Sequence, residues 1–297
     1  MEELLKNWKR LEVKNPAEMQ EASNTLHHAA QYIAMAGSNF IPKKADDGHT
    51  NARWYSNKNW LVGNTIETQS GKIRVALDYP LLVLIITNAD LKPIYEVALD
   101  GKTRMEVFDW LKEKLKEQRL DVSDFKPELH YEIPDHPVMH GEVFKMKKPL
   151  HYMELAFYRS NGNLLLEHFT DLIKPGEPVR VWPHHFDDGS YLPLQFDESG
   201  SPSGSISIGL AVADPYYPEP YFYVTAWKSE GVNYDNLPAL KKPGIWHKHE
   251  WTGQVLKASD IAAFERAKDQ LEVSYNFLKQ ASNNALGLIG EKHPINN

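Results

Sequence analysis

The sequence predicts an α+β protein made of two similar units, each with the order helix, four strands, helix, in which helices cover mostly antiparallel meander sheets. Three observations support this fold class. Amphipathic helical periods bound each half of the chain, runs of β-branched and aromatic residues cluster between them, and Gly, Pro, Asn and Asp turns separate those runs. Short turns of this kind suit antiparallel pairing.

The two halves agree in spacing as well as in element order. Trp54 and Trp182 begin comparable strand regions and lie about 128 positions apart. We therefore expect an internal duplication, with the four-strand groups either joined in one sheet or packed as a pseudo-two-fold pair. The predicted units are residues 1–120 and 149–297, and residues 121–148 form a polar linker between them.

In the first half, a capping box at residues 15–18 begins a helix, because Asn caps, Pro fits the first helical position and Glu lies three residues after the cap. Apolar residues then recur at spacings of three and four until Gly37, a typical helix stop. A second capping box, at residues 103–106, begins a helix that ends near residue 119. The strand-like runs between these helices span residues 60–68, 72–79, 81–88 and 93–100.

In the second half, a helix begins at Pro149 and continues across residues 161–162, an Asn-Gly pair whose glycine costs about 1 kcal/mol inside a helix. The last helix is capped at residues 259–260, and its apolar stripe continues to about Leu286. The strand-like runs between these helices span residues 179–186, 190–196, 205–213 and 220–228.

The composition restricts the partners. The chain has 297 residues, of which 42% are hydrophobic and 25% charged, so it is long enough for one large core or two modest ones. The chain has 33 basic and 40 acidic residues, so its formal net charge is −7. A negative net charge does not attract nucleic acid or anionic lipid, and we expect neither as a partner. The lack of cysteine and of an N-terminal apolar run favours a cytoplasmic location. The oligomeric state stays open.

The stretch VWPHHFDDGSY, residues 181–191, carries the main candidate site. If it is a regular strand, Trp182 and His184 share one face with a core phenylalanine, while His185 and Asp187 share the other. The adjacent histidines then cannot bind one metal ion together. Asp-Asp-Gly-Ser would form a hairpin turn after the strand. We therefore predict a pocket wall that binds a small polar ligand.

A metal site is the alternative interpretation of the same stretch. The loop that contains Asp46, Asp47 and His49 could converge with His185 and Asp187, which together offer ligand types suited to a divalent ion and a bound water. The protein would then be a metal-dependent hydrolase. No HExxH or EF-hand spacing supports this alternative, so no metal cofactor is favoured.

Other motifs are weaker. A tyrosine- and proline-rich segment at residues 214–223 suits a rigid aromatic platform for sugars or flat ligands, and equally an edge strand. His247 and His249 would share one strand face, more often a surface hairpin than a metal site. The chain lacks GxGxxG, GxxxxGK and GxSxG motifs, which removes support for Rossmann, P-loop and α/β-hydrolase functions.

The order of several blocks resembles the uncharacterised bacterial domain-of-unknown-function family 5996. These blocks are EPVRVWPHHFDDGSYLPL after a long helix, PEPYFYVTAW, and WHKHEWTGQVL ahead of a final long helix. The resemblance implies no reaction, so catalytic residues stay unassigned and it stays open whether the protein is an enzyme. A structural or protein-binding module without a small-molecule site is a third interpretation. The candidate ligand-binding residues are Trp182, His184, His185, Asp187, Glu219 and Tyr221.

Overall fold

The computed structural model of this chain describes residues 1–291 and Ile295. Its α-helices are α1 (Glu2–Asn7), α2 (Gln20–Phe40), α3 (Arg104–Glu117), α4 (Pro149–Ile173), α5 (Ala258–Ala262) and α6 (Ala267–Ile289). Its strands are β1 (Ala52–Tyr55), β2 (Trp60–Gly63), β3 (Ile66–Thr68), β4 (Gly71–Asp78), β5 (Val83–Asn88), β6 (Pro93–Ala98), β7 (Arg180–Trp182), β8 (Asp187–Phe196), β9 (Pro202–Ala211), β10 (Tyr221–Lys228), β11 (Ile245–His247) and β12 (Gly253–Lys257). Helices and antiparallel strands together confirm the α+β class.

The chain divides into two compact units. The α2 unit consists of Met19–Ala156 and Arg180–Phe186, and the α6 unit consists of Met1–Glu18, Phe157–Val179 and Asp187–Asn297. Helix α4 contributes residues to both units. Among the described residues, no helix has both the length and the apolar character needed to cross a membrane.

The sheet of the α2 unit has the strand order β7-β1-β2-β4-β5-β6, with β3 beside β4, and its neighbouring strands pair antiparallel. Helix α2 packs on strands β2, β3 and β4. The approach is closest at Gly63, where an added Cβ would lie 2.6 Å from Cγ2 of Ile33. Glycine is required there because any side chain would push the helix off the sheet.

The sheet of the α6 unit has the strand order β8-β9-β10-β12-β11, also antiparallel. Helices α4 and α6 cover one of its faces, where Gly162 packs against Leu210 and the side-chain amide of Gln254 donates to the carbonyl of Ala281 at 2.8 Å. Alternate residues in a strand point to opposite sides. The residues that alternate with Leu210 and Gln254 therefore lie on the opposite side, which we call the open face.

The first 18 residues belong to the α6 unit, so the compact units do not follow the predicted division at residues 120 and 149. Gln270 of α6 holds this segment, since it accepts from the amide of Leu11 at 2.9 Å and donates to the Leu11 carbonyl at 2.8 Å. Asn161 of α4 likewise accepts from the amide of Lys9 at 2.8 Å. Such fixed terminal segments depend on side chains distant in sequence, which local patterns do not reveal.

Several helix predictions are confirmed. The capping box of α3 forms in both directions between Thr103 and Glu106. Helix α4 continues unbroken across its Asn-Gly pair, because the glycine gives room to a core leucine. The predicted stop of α2 at Gly37 is wrong, since the helix continues to Phe40. An added Cβ at Gly37 would lie 2.4 Å from the carbonyl oxygen of His49, so this glycine permits a close approach and is not a cap.

The predicted strand number and the last helix need correction. Within residues 52–98, all of which are described, six strands replace the predicted four, because β1 precedes the first run and residues 60–68 split into β2 and β3. Strands β11 and β12 pair antiparallel as the hairpin expected around His247, but His249 lies in the loop between them and not on a strand face. The cap predicted at residues 259–260 does not begin one long helix, since the chain breaks after α5 and resumes helical structure at Ala267. The internal duplication stays a prediction.

Candidate functional site

The open face of the α6 unit presents the side chains of alternate residues in β8, β9 and β10. The strand register places these residues in rows that cross the three strands. The rows are Gly189, Gly209 and Tyr223; Tyr191, Ser207 and Thr225; and Pro193, Ser205 and Trp227. The middle strand, β9, contributes only small side chains to this face. The larger side chains of β8 and β10 therefore flank a strip of small side chains along β9, which we call the groove and in which Ser205 is buried.

The ring of Tyr223 lies across the first row. An added Cβ at Gly209 would lie 2.3 Å from Cζ of Tyr223, and one at Gly189 would lie 3.0 Å from its hydroxyl oxygen. Only glycine at both positions lets the ring cross β9 and reach β8. The two glycines and the tyrosine thus form one local arrangement, which the sequence encodes as alternate small residues in SGSISIGLA beside PYFYVTAW.

Asp187 receives the hydroxyl of this tyrosine. Tyr223 donates to Oδ2 of Asp187 at 2.5 Å. Burial and the neighbouring carboxyl of Asp187 raise the pKa of Tyr223 well above its ordinary value, so the phenol stays protonated and keeps donating. Oδ1 of Asp187 has no hydrogen-bond partner among the described residues. The predicted hairpin turn at Asp187 is wrong, because β8 begins at this residue.

The neighbouring carboxyl, Asp188, points to the opposite side of the sheet and forms a buried ion pair. Its Oδ1 lies 3.1 Å from Nη1 of Arg159 in α4, and both side chains are at least 98% buried. Burial raises the pKa of Asp188 to about 6, although the guanidinium opposes this shift. Adjacent carboxyls therefore meet two environments: Asp188 is paired inside the unit, and Asp187 lies on the open face.

A cluster of aromatic side chains borders the open face on the side of β12. Asp214 accepts from the amide of Tyr217 at 2.9 Å and from the hydroxyl of Tyr221 at 2.6 Å, which fixes the tyrosine-rich loop. The hydroxyl of Tyr217 and Nδ1 of His247 are 2.9 Å apart, and the His247 ring stacks on Trp251 at a centroid distance of 4.1 Å. Tyr221 is buried in this cluster, so it supports the site and does not line it.

Two exposed aromatic residues flank the other end of the groove. Tyr191 of β8 is 49% exposed and Trp227 of β10 is 47% exposed. Ser207 and Thr225 lie between them and are partly buried. This end of the open face therefore presents aromatic surface beside two hydroxyl groups. None of these four residues was predicted as a site residue from the sequence.

Glu219 has a different role from the predicted one. Its carboxyl accepts from the amide of Ser259 at 2.5 Å and from the Ser259 hydroxyl at 3.0 Å, in the first turn of α5. Carboxyl groups satisfy the free amides of helix N-termini in this way. Glu219 thus stabilises a helix start, and both of its oxygens already have partners.

In the α2 unit, the WPHHF segment is a tight turn after β7, so the prediction of a continuous strand is wrong. The amide of Phe186 donates to the carbonyl of Trp182 at 2.6 Å, and Phe186 has a φ of 60°. The Phe186 ring stacks on the His27 ring with a centroid distance of 4.8 Å. The Pro183 carbonyl lies 2.8 Å from Nε2 of His27 and accepts from Gln31 at 3.0 Å. Two residues of α2 therefore hold the turn.

The turn redistributes the predicted ligand-binding side chains. His185 is exposed, Trp182 and His184 are partly buried, and the two imidazoles lie with ring centroids 4.3 Å apart. The predicted separation of these histidines onto opposite strand faces does not hold, because the chain reverses at Pro183. The ring centroids of His184 and Tyr131 also lie 5.7 Å apart. Asp187, by contrast, belongs to the α6 unit with Glu219 and Tyr221.

The side chains of the predicted metal loop have hydrogen-bond partners within the α2 unit. Oδ2 of Asp47 lies 2.8 Å from Nε2 of His130, Asp46 accepts from the amide of Gly48 at 3.0 Å, and His49 is buried with its Nδ1 accepting from the backbone at 3.3 Å. In the part of the chain that the structure describes, no three His, Asp or Glu side chains form a group that could hold a metal ion.

A buried histidine pair in the α2 unit was not predicted. His28 of α2 stacks on His136 with ring centroids 5.0 Å apart, and the exposed fractions are 5% and 7%. Nε2 of His28 lies 2.9 Å from the carbonyl oxygen of Pro134. Burial lowers the pKa of His28 to about 4 and also lowers the pKa of His136. Both imidazoles are therefore neutral near pH 7.

No family model, curated protein or solved structure matches this chain. The resemblance to family 5996 accordingly stays a prediction.

Proposed function

We propose that the open face of the α6 unit binds a small polar ligand, with Asp187 as the principal hydrogen-bonding group. The observation that carries the proposal is the Tyr223 ring laid across two glycines, with its hydroxyl fixed on Asp187. This arrangement holds a carboxyl and an aromatic ring together on the face opposite α4 and α6. Binding sites typically combine apolar surface with a few oriented polar groups.

The glycines support a binding role beyond simple packing. Glycine within a strand weakens it, and two glycines in direct register weaken the β8–β9 pairing at one point. The geometry there places a tyrosine hydroxyl on a carboxyl at the border of the groove. Oδ1 of Asp187 is buried and receives no bond from the described residues, so a ligand hydroxyl or amine that reaches it would satisfy this oxygen.

A thermal-shift screen tests this proposal. Neutral sugars, primary amines and small carboxylic acids form the panel, and a ligand present at about 100 times its Kd should stabilise the protein by about 2.7 kcal/mol. Asp187→Asn should abolish the shift while keeping an acceptor for Tyr223. The control is Asp235→Asn, since Asp235 is exposed in a loop of the same unit.

A class of compounds that stabilises the wild type and the Asp235 variant, but not the Asp187 variant, supports the proposal. A panel that shifts no protein, or shifts that persist in Asp187→Asn, would contradict it. The hydrolase alternative would need a metal site, and the described residues bring no such group together.

A further inference from the structure

We infer that the ligand of the open face is a neutral oligosaccharide whose pyranose rings stack on Tyr223 and Trp227, an inference that rests on the proposed binding function of the same face. A pyranose ring has an apolar C–H face and a rim of hydroxyl groups. Its complement is a flat aromatic surface bordered by groups that both donate and accept hydrogen bonds.

The aromatic part of this complement is on the open face. The Tyr223 ring crosses Gly209, so this partly buried ring lies along the sheet. Trp227, in the same strand, is 47% exposed, and Tyr191 across the groove is 49% exposed. The two exposed rings lie on the same face of the sheet, on either side of β9.

The polar part lies between the aromatic side chains. Ser207 and Thr225 are adjacent in register, and their hydroxyls both donate and accept, as sugar hydroxyls do. Asp187 adds a carboxyl at the Tyr223 end, and its Oδ1 is buried and has no partner among the described residues. A carboxyl can accept hydrogen bonds from two neighbouring hydroxyls of one sugar ring.

The charge of the groove favours a neutral ligand. The three rows that line it contain no Lys, Arg, His, Asp or Glu, and Asp187 borders the first row. A phosphate or carboxylate ligand would meet Asp187 without a basic partner in these rows. Lys257 lies opposite Tyr221, in the row next to that of Tyr223 and outside the three rows that line the groove.

The length of the groove favours more than one sugar ring. Tyr223 and Trp227 lie four residues apart on one strand, which corresponds to about 14 Å at ~3.4 Å per residue. The two aromatic side chains would therefore contact different rings of one chain, with Ser207 and Thr225 between them.

Isothermal titration calorimetry tests the inference. The probes are cellotetraose, maltotetraose and mannotetraose, with tetramethylammonium, putrescine and inorganic phosphate as comparison ligands. One of the tetrasaccharides should bind in a saturable manner, and Trp227→Ala should weaken this binding about tenfold, equivalent to about 1.4 kcal/mol. Trp227 is half-exposed, so this variant should fold. Phe264→Ala, which removes a 39% exposed ring elsewhere in the unit, is the matched control.

The outcomes separate the two proposals. Binding of an amine that depends on Asp187, without saccharide binding, would overturn the saccharide inference and keep the proposed function. Saccharide binding that is equal in Trp227→Ala, Tyr191→Ala and the control would overturn the placement of the rings. Failure of every probe to bind would overturn the inference together with the small-ligand proposal.

Discussion

Acidification should destabilise the α2 unit through His28, and substitution of this histidine should remove that part of the pH dependence. Burial depresses the pKa of His28 in the folded state from 6.5 to about 4. The neutral imidazole therefore contributes stability that is fully present above about pH 6.5 and is lost as the pH falls through about 4. Between these values the unfolded chain binds a proton that the folded chain does not.

The magnitude follows from the shift. One pKa unit corresponds to 1.36 kcal/mol, so a decrease from 6.5 to about 4 corresponds to about 3 kcal/mol. Burial is the largest cause of this pKa shift, and the nearby His136 and Arg104 lower the pKa further. The carbonyl of Pro134 and the carboxyl of Asp135 oppose the shift. His28→Gln keeps a donor near Pro134 and has no titration.

Urea unfolding followed by circular dichroism at a series of pH values measures this effect. The wild type should lose about 3 kcal/mol more than His28→Gln between about pH 6.5 and about pH 4, and the difference should be constant above about pH 7. His140→Gln is the control, because His140 is exposed and pairs with exposed Asp135. Parallel pH profiles for the wild type and His28→Gln would show that His28 does not cause this part of the pH dependence.

Three further substitutions, with Gly287→Ala as a control, test packing and the candidate sites. Leu271→Ala should cost about 2–5 kcal/mol, since Leu271 is buried in the apolar stripe of α6, and a loss below about 0.5 kcal/mol in chemical denaturation would place it outside the core. Gly209→Ala should cost about 1–3 kcal/mol, because its Cβ collides with Tyr223, whereas Gly287→Ala, which meets no atom within 4 Å, should not destabilise. His185→Ala should leave the melting temperature nearly unchanged, because His185 is exposed. Elemental analysis should find less than one Zn, Mn, Fe or Ni per chain, and one metal ion lost in His185→Ala would favour the hydrolase.

Local patterns predicted the helices better than the strands. The capping box at Thr103 succeeded because both of its partners lie within four residues. Gly37 misled because glycine ends helices and also permits close approach, and only the contact with the His49 carbonyl distinguishes the two roles. A short strand such as β3 forms because it pairs with β4. The residue pattern within a single run does not show which other strand it pairs with.

The candidate site was predictable only in part. Asp187 was selected because an acidic pair stood beside two histidines, and it does lie on the open face. The histidines themselves lie in a turn that Phe186 closes with a positive φ, a conformation rare for a bulky residue. Tyr223 depends on two glycines from two other strands, so its position follows from register and not from spacing. Alternate small residues along β9 were the available signal.

The most direct test of the binding face is the measurement of intermolecular nuclear Overhauser effects between a bound saccharide and the aromatic protons of this protein. We expect cross-peaks from sugar C–H protons to the rings of Tyr223 and Trp227, and those to the Trp227 ring should be lost in Trp227→Ala. Cross-peaks confined to side chains outside the open face, such as His184 and Trp182, would contradict it.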